Sequence, residues 1–94
     1  MEGQLKILKR SKPIGEISKG DKILVNGKEM LVDSQYLFIE HEKNKEMIVE
    51  FYNSSSEREY QLRYFDDQIE ISLEIYELQG DFQYVKRYPK TLEW

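Results

Sequence analysis

The chain is 94 residues long, contains no cysteine, is 39% apolar and 13% aromatic, and has a formal net charge of −4. That length has room for one hydrophobic core, so residues 1–94 are expected to form a single small β domain. Without cysteine there are no disulfide staples, thiolate metal sites or thiol catalysis, and no apolar run approaches the ~18–20 residues of a membrane helix.

In chain order, the first local signal is Gly20-Asp21, which reads as a turn into the strand, followed by Lys22-Ile23-Leu24-Val25-Asn26-Gly27-Lys28-Glu29-Met30-Leu31-Val32. Asn-Gly between two apolar runs predicts a two-residue hairpin, because both turn residues must take positive φ. That loop length pairs Val25 with Lys28 and Ile23 with Met30. A second hairpin is expected from Tyr36–His41 and Glu46–Tyr52. A Lys43-Asn44 loop would set Glu42 against Lys45, Phe38 against Val49 and Tyr36 against Phe51, so opposite charges meet at the tip and apolar groups further in. Asn53 to Ser56 reads as a polar loop.

A third hairpin follows if Asp66-Asp67 is a turn. Tyr64 then faces Ile69, Leu62 faces Ile71, Tyr60 faces Leu73, and Arg63 meets Glu70 on the opposite side. Residues 69–75 alternate apolar and polar, which argues strand, and the adjacent Ile75-Tyr76 shifts the phase, which suggests a β-bulge. A helix over residues 57–66 is the rival reading, since Ser54 and Ser56 stand three residues before Glu57 and Glu59 at capping-box spacing. Gly80-Asp81 turns the chain, Phe82 to Tyr88 forms the last strand, and Lys90 to Trp94 is a short tail with Trp94 docked on the body. The expected core is Ile23, Phe38, Val49, Leu62, Ile71 and Leu73. Pro13 and Pro89 lie near the ends, leaving 75 residues between them with no proline to break a sheet.

Chemistry-bearing motifs are sparse. His41 is the only histidine, and on a strand its neighbours Glu40 and Glu42 point to the opposite face, so they do not join it as ligands. Asp66 and Asp67 are adjacent acids in a turn, where both stay solvated and ionised rather than splitting their pKa values as an acid–base pair must. Glu70, Glu74 and Glu77 read as an outward acidic face. Gly15, Gly20 and Gly27 lack the spacing of a phosphate loop. No cofactor is implied, and enzyme activity is the least expected function.

Charge is unevenly spread. Residues 1–28 hold seven Lys/Arg against three acids, residues 29–85 four against fourteen, and residues 86–94 three against one. Either the basic ends pack together and neutralise the acidic middle, or they form a patch for a polyanion. Lys9, Arg10, Lys86 and Arg87 are the candidate contact residues. Basic residues and tyrosines interleave near the ends, as in small barrels that bind single strands, but an acidic domain is unusual for that role. The absence of disulfides, and of a hydrophobic signal core in Met1 to Lys12, favours the cytoplasm.

Ile17 to Val32, with Gly20-Asp21 leading into a strand and a tight turn after it, resembles the opening hairpin of SH3-like small barrels of the KOW type. The resemblance covers about a sixth of the chain and implies a fold family only, since such folds host many functions. The sequence as a whole predicts an all-β fold: an antiparallel meander of about seven or eight strands in a small barrel or strongly curved sheet. The expected function is a non-catalytic protein-interaction module that uses a sheet face or edge, with a protein partner or its own copy. The alternative is a nucleic-acid-binding barrel that uses the basic ends. No membrane role is expected.

Overall fold

The computed structural model describes residues 5–94, apart from the side chain of Glu70. The strands are β1 (Lys6–Lys9), β2 (Lys22–Val25), β3 (Lys28–Glu40), β4 (Lys45–Tyr52), β5 (Glu59–Phe65), β6 (Glu74–Gln79), β7 (Gln83–Arg87) and β8 (Thr91–Glu93). One helical turn, α1 (Ile69–Ser72), precedes β6, and a 3₁₀ turn spans Ile14–Glu16. The eight strands form one sheet in the order β1-β8-β2-β3-β4-β5-β6-β7, curled into a half-barrel. From β2 to β7 it is the expected antiparallel meander. The predicted tail instead supplies β8, which returns antiparallel to β2 and parallel to β1. The curve therefore stays open, with β1 and β7 as its edges.

The first hairpin forms in the predicted register, with Ile23 opposite Met30 and Val25 opposite Lys28. Asn26 and Gly27 take φ of 52° and 79°, as a primed turn requires. Asn26 does a second job: its Oδ1 accepts hydrogen bonds from the backbone N–H groups of Lys90 (2.7 Å) and Thr91 (3.2 Å), tying this turn to the start of β8.

The second hairpin differs from its predicted register. Glu40 pairs with Lys45 across a four-residue loop, and Tyr36 faces Ile48 rather than Phe51. Two register shifts in β3, between Val32 and Ser34 and between Leu37 and Ile39, leave Asp33 and Phe38 as extra residues. A bulge bends its strand and re-aims the side chain it carries. Phe38 is accordingly 47% exposed instead of buried in the core.

Residues 59–65 form the strand rather than the rival helix. The third hairpin is longer than predicted. Ile69–Ser72 makes a helical turn, in which Ser72 Oγ accepts the Phe65 backbone N–H at 2.9 Å and ends β5. Leu62 thus pairs with Ile75, and Tyr60 with Glu77. The slip is four residues, an even number, so each strand keeps its faces although its partners change. Ile71, expected in the core, lies on the outside of the helical turn and is 83% exposed. Leu73 is partly buried against the core. The expected bulge at Ile75-Tyr76 does not form, since β6 pairs continuously on both sides.

The concave side holds the core, built around Ile23, Met30, Phe51, Leu62, Ile75 and Leu92, with Ile14 and Ile17 packed into it. Trp94 docks there as expected, its Nε1 donating to the Lys12 carbonyl at 2.7 Å. Among the described residues, no helix is long and apolar enough to cross a membrane.

Candidate interaction surface

The bulge that re-aims Phe38 also creates the most distinctive surface of the molecule. Along β4, Val49 and Phe51 face the core, so Ile48 and Glu50 face the outer side. Ladder partners share a face, which adds Ser34 and Tyr36 from β3, Gln61 and Arg63 from β5, Glu74 and Tyr76 from β6, and Lys86 from β7. Tyr84, across from Leu78, belongs to the same side.

Arg63 organises this face. Its guanidinium carbon lies 4.1 Å from the Tyr76 ring centre, 5.5 Å from Phe38 and 5.7 Å from Tyr84. A planar cation weakly held by water suits such aromatic surroundings. Arg63 Nε and Nη2 both donate to Gln61 Oε1, at 3.0 and 2.8 Å. Gln61 Nε2 in turn donates to Glu50 at 3.4 Å, as does Ser34 Oγ at 3.3 Å. Gln61 and Ile48 are buried on this face. Burial raises the phenol pKa values of Tyr36, Tyr76 and Tyr84, and the neighbouring carboxylates Glu50 and Glu74 add to it. The result is a patch of ring surface, exposed at Tyr36 and Phe38, around one cation held by Gln61 and three rings.

The residues singled out from the sequence lie elsewhere or serve local roles. Lys86 and Arg87 point to opposite faces of β7. Lys86 binds Glu74 at 2.7 Å and Arg87 binds Glu77 at 3.3 Å. Glu77 is buried. Burial pushes its pKa up, but the Arg58 and Arg87 guanidiniums outweigh that and hold it below the usual carboxylate range. Arg10 lies over the Trp94 ring at 6.0 Å. Lys9 lines a cleft of about 500 Å³ with Lys12, Lys22 and Trp94, in which Asp21 and Glu93 also sit. Lys86 and Arg87 line a different cleft, with Leu5, Glu74 and Tyr88.

His41 packs against Phe65 with the rings tilted by 44° and their centroids 5.7 Å apart, and stands 4.0 Å from Glu46. Asp66 accepts the Lys45 backbone N–H at 2.9 Å and Asp67 accepts from Asn44 at 3.2 Å, so both aspartates hold turns together. Glu74 and Glu77 lie on opposite faces of β6, each matched to cations, while the side chain of Glu70 falls outside the described residues. Sequence reasoning missed the Arg63 cluster because it assigned Phe38 to the core and set Tyr36 opposite Phe51, a core residue. One signal was available: four consecutive apolar residues, Tyr36 to Ile39, cannot all face inward from a strand. No known protein family, curated protein or solved structure matches the chain.

Proposed function

We propose that this chain is a non-catalytic protein-interaction module that presents the outer sheet face around Arg63 to a protein partner. The observation that carries the reading is the aromatic cluster around Arg63, exposed at Tyr36 and Phe38 and half-buried at Tyr76 and Tyr84, resting on the buried Gln61 and its hydrogen bond to Glu50. Tyr and Arg on a rigid support make strong interface anchors, because they bring large contact areas with little side-chain freedom to lose. The non-catalytic part draws support from the carboxylates: Asp66, Asp67, Glu74 and Glu77 are engaged in turns and ion pairs. A cysteine-free chain suits a reducing compartment, and a cytoplasmic setting goes with this reading.

The test is affinity capture from a native extract with the unaltered chain and with the double variant Tyr36→Ala/Phe38→Ser. Circular dichroism checks that the variant keeps its strands. A partner recovered reproducibly by the unaltered chain and lost with the variant is the expected result. Equal recovery by both, or nothing above a bead control, overturns the reading.

A second reading, single-stranded nucleic-acid binding by the basic ends, draws on the cleft that Lys9, Lys12 and Lys22 line together with Trp94. Its candidate residues Lys86 and Arg87 already have carboxylate partners, which weakens it. Titration of labelled single-stranded RNA and DNA at low and near-physiological salt decides. Contacts to phosphate require binding at low salt that falls steeply as salt rises.

A further inference from the structure

The half-barrel ends on one side at β7, Gln83–Arg87, and among the described residues no strand pairs with its outer side. An edge strand presents a row of backbone donors and acceptors that another strand can satisfy. Natural sheets defend such edges with proline, bulges or charge. The opposite edge, β1, is defended: it is four residues long, carries lysine at both ends, and its register breaks between Ile7 and Lys9. β7 has no proline and pairs without a break against β6. Its two charges, Lys86 and Arg87, are each matched to a carboxylate of β6. The edge is therefore regular, and the charges that would protect it are largely neutralised.

We propose that two copies of this chain join β7 to β7 in antiparallel register about a two-fold axis at Val85, which continues the sheet across the dimer. The inference deepens the interaction-module reading by naming a second copy as a partner at the edge. A two-fold axis perpendicular to the sheet keeps outer residues opposite outer residues, so only registers centred on a residue are allowed.

Centring on Val85 pairs all five residues of the strand. Val85 then meets Val85, Tyr84 meets Lys86 of the second copy, and Gln83 meets Arg87. Just past the strand ends, Phe82 comes level with Tyr88 of the second copy. These two are among the most exposed aromatics of the described chain, 94% and 58% accessible. Aromatic–aromatic and cation–aromatic neighbours are favourable cross-strand pairs, and no like charges stand directly opposite. The neighbouring registers are worse. Centring on Lys86 sets Lys86 against itself, and centring on Tyr84 pairs only residues 83–85 within the strand.

The chain has no cysteine, so single cysteines report the register directly. At the axis, Val85→Cys places two thiols on residues directly opposite each other, within the Cα separation a disulfide needs. Gln83→Cys places its two thiols four residues apart along the seam, roughly 13 Å, beyond disulfide reach. Under mild oxidation, Val85→Cys is expected to give a disulfide-linked dimer and Gln83→Cys a monomer. A mixture of Tyr84→Cys and Lys86→Cys chains should cross-link with each other, which keeps the test valid if Val85→Cys folds poorly. Light scattering on the unaltered chain should show the 11.4 kDa mass doubling as concentration rises.

A constant single-chain mass, or cross-linking of Gln83→Cys as readily as Val85→Cys, overturns the proposal. The Tyr36→Ala/Phe38→Ser variant lies away from the seam, on β3, and should still dimerise. Loss of the dimer with partner capture intact removes only the edge inference. An intact dimer with capture unaffected by that variant removes only the outer-face reading.

Discussion

At the scale of single residues, Gln35 shows how the concave side accommodates polar atoms. It lies on β3 facing inward, and its amide donates to the Ile14 and Ile17 carbonyls at 3.1 and 2.7 Å. Its Oε1 accepts the Tyr64 hydroxyl, so the 3₁₀ turn, β3 and β5 are joined through one side chain. Burial first, and the charge of Asp66 second, push the Tyr64 phenol up to about 12. A raised tyrosine pKa means the fold favours the neutral phenol. The stabilisation is present below the unfolded value near 10 and is lost as pH rises towards about 12. A shift of that size corresponds to about 2–3 kcal/mol. Tyr64→Phe should cost about 1 kcal/mol near neutrality through the lost hydrogen bond, but it should be less sensitive to alkali. Urea unfolding at pH 8 and at pH 11.5 compares the two proteins. An equal alkaline loss in both would mean that Tyr64 does not carry the effect.

At the scale of elements, the third hairpin shows a local pattern being overruled. The alternation at 69–75 is real, but Ile69–Ser72 coils into a helical turn because Ser72 can close the end of β5 and Ile69 and Leu73 can still reach the core. Ile71 is left outside while Leu62 finds Ile75. Leu62→Ala should therefore cost about 2–5 kcal/mol, as truncation of a fully buried leucine does. Ile71→Ala should stay within about 0.5 kcal/mol, as an exposed substitution does. Denaturant midpoints of the two variants check this directly. A cost at Ile71 equal to that at Leu62 would put residues 69–75 back in a strand.

At the scale of the whole molecule, the two ends of the described chain hold the half-barrel together. β8 lies between β1 and β2, Asn26 ties it to the first hairpin, and Trp94 closes over Lys12. This arrangement also bears on the uneven charge. The basic C-terminal segment meets the acidic middle directly, Lys86 on Glu74 and Arg87 on Glu77, and the N-terminal segment is joined to the C-terminal one through β1 and β8. Trp94 is 6% exposed, so Trp94→Ala should cost about 3–5 kcal/mol, the range for a buried aromatic cut to alanine. Thermal unfolding followed by circular dichroism measures it. A Tm unchanged by the substitution would show that Trp94 merely lies on the surface of the body.

What could be read from the sequence follows from short-range rules. Asn26-Gly27 dictates its turn because few residues tolerate positive φ, and alternation along β4, β5 and β6 assigns faces because side chains repeat every two residues. The all-β class, the burial of Ile23, Val49 and Leu62, and the docking of Trp94 were legible on those grounds. Registers beyond the first hairpin were not, since a bulge at Asp33 or Phe38 costs the local pattern little and is chosen by how the sheet must bend. The strand at Thr91–Glu93 was equally hidden, because its partners β1 and β2 lie at the far end of the chain. The Arg63 surface is assembled from β3, β4, β5, β6 and β7 and depends on both the bulge at Phe38 and the shifted third hairpin. No stretch of sequence contains it: only packing and register across five strands bring those side chains together.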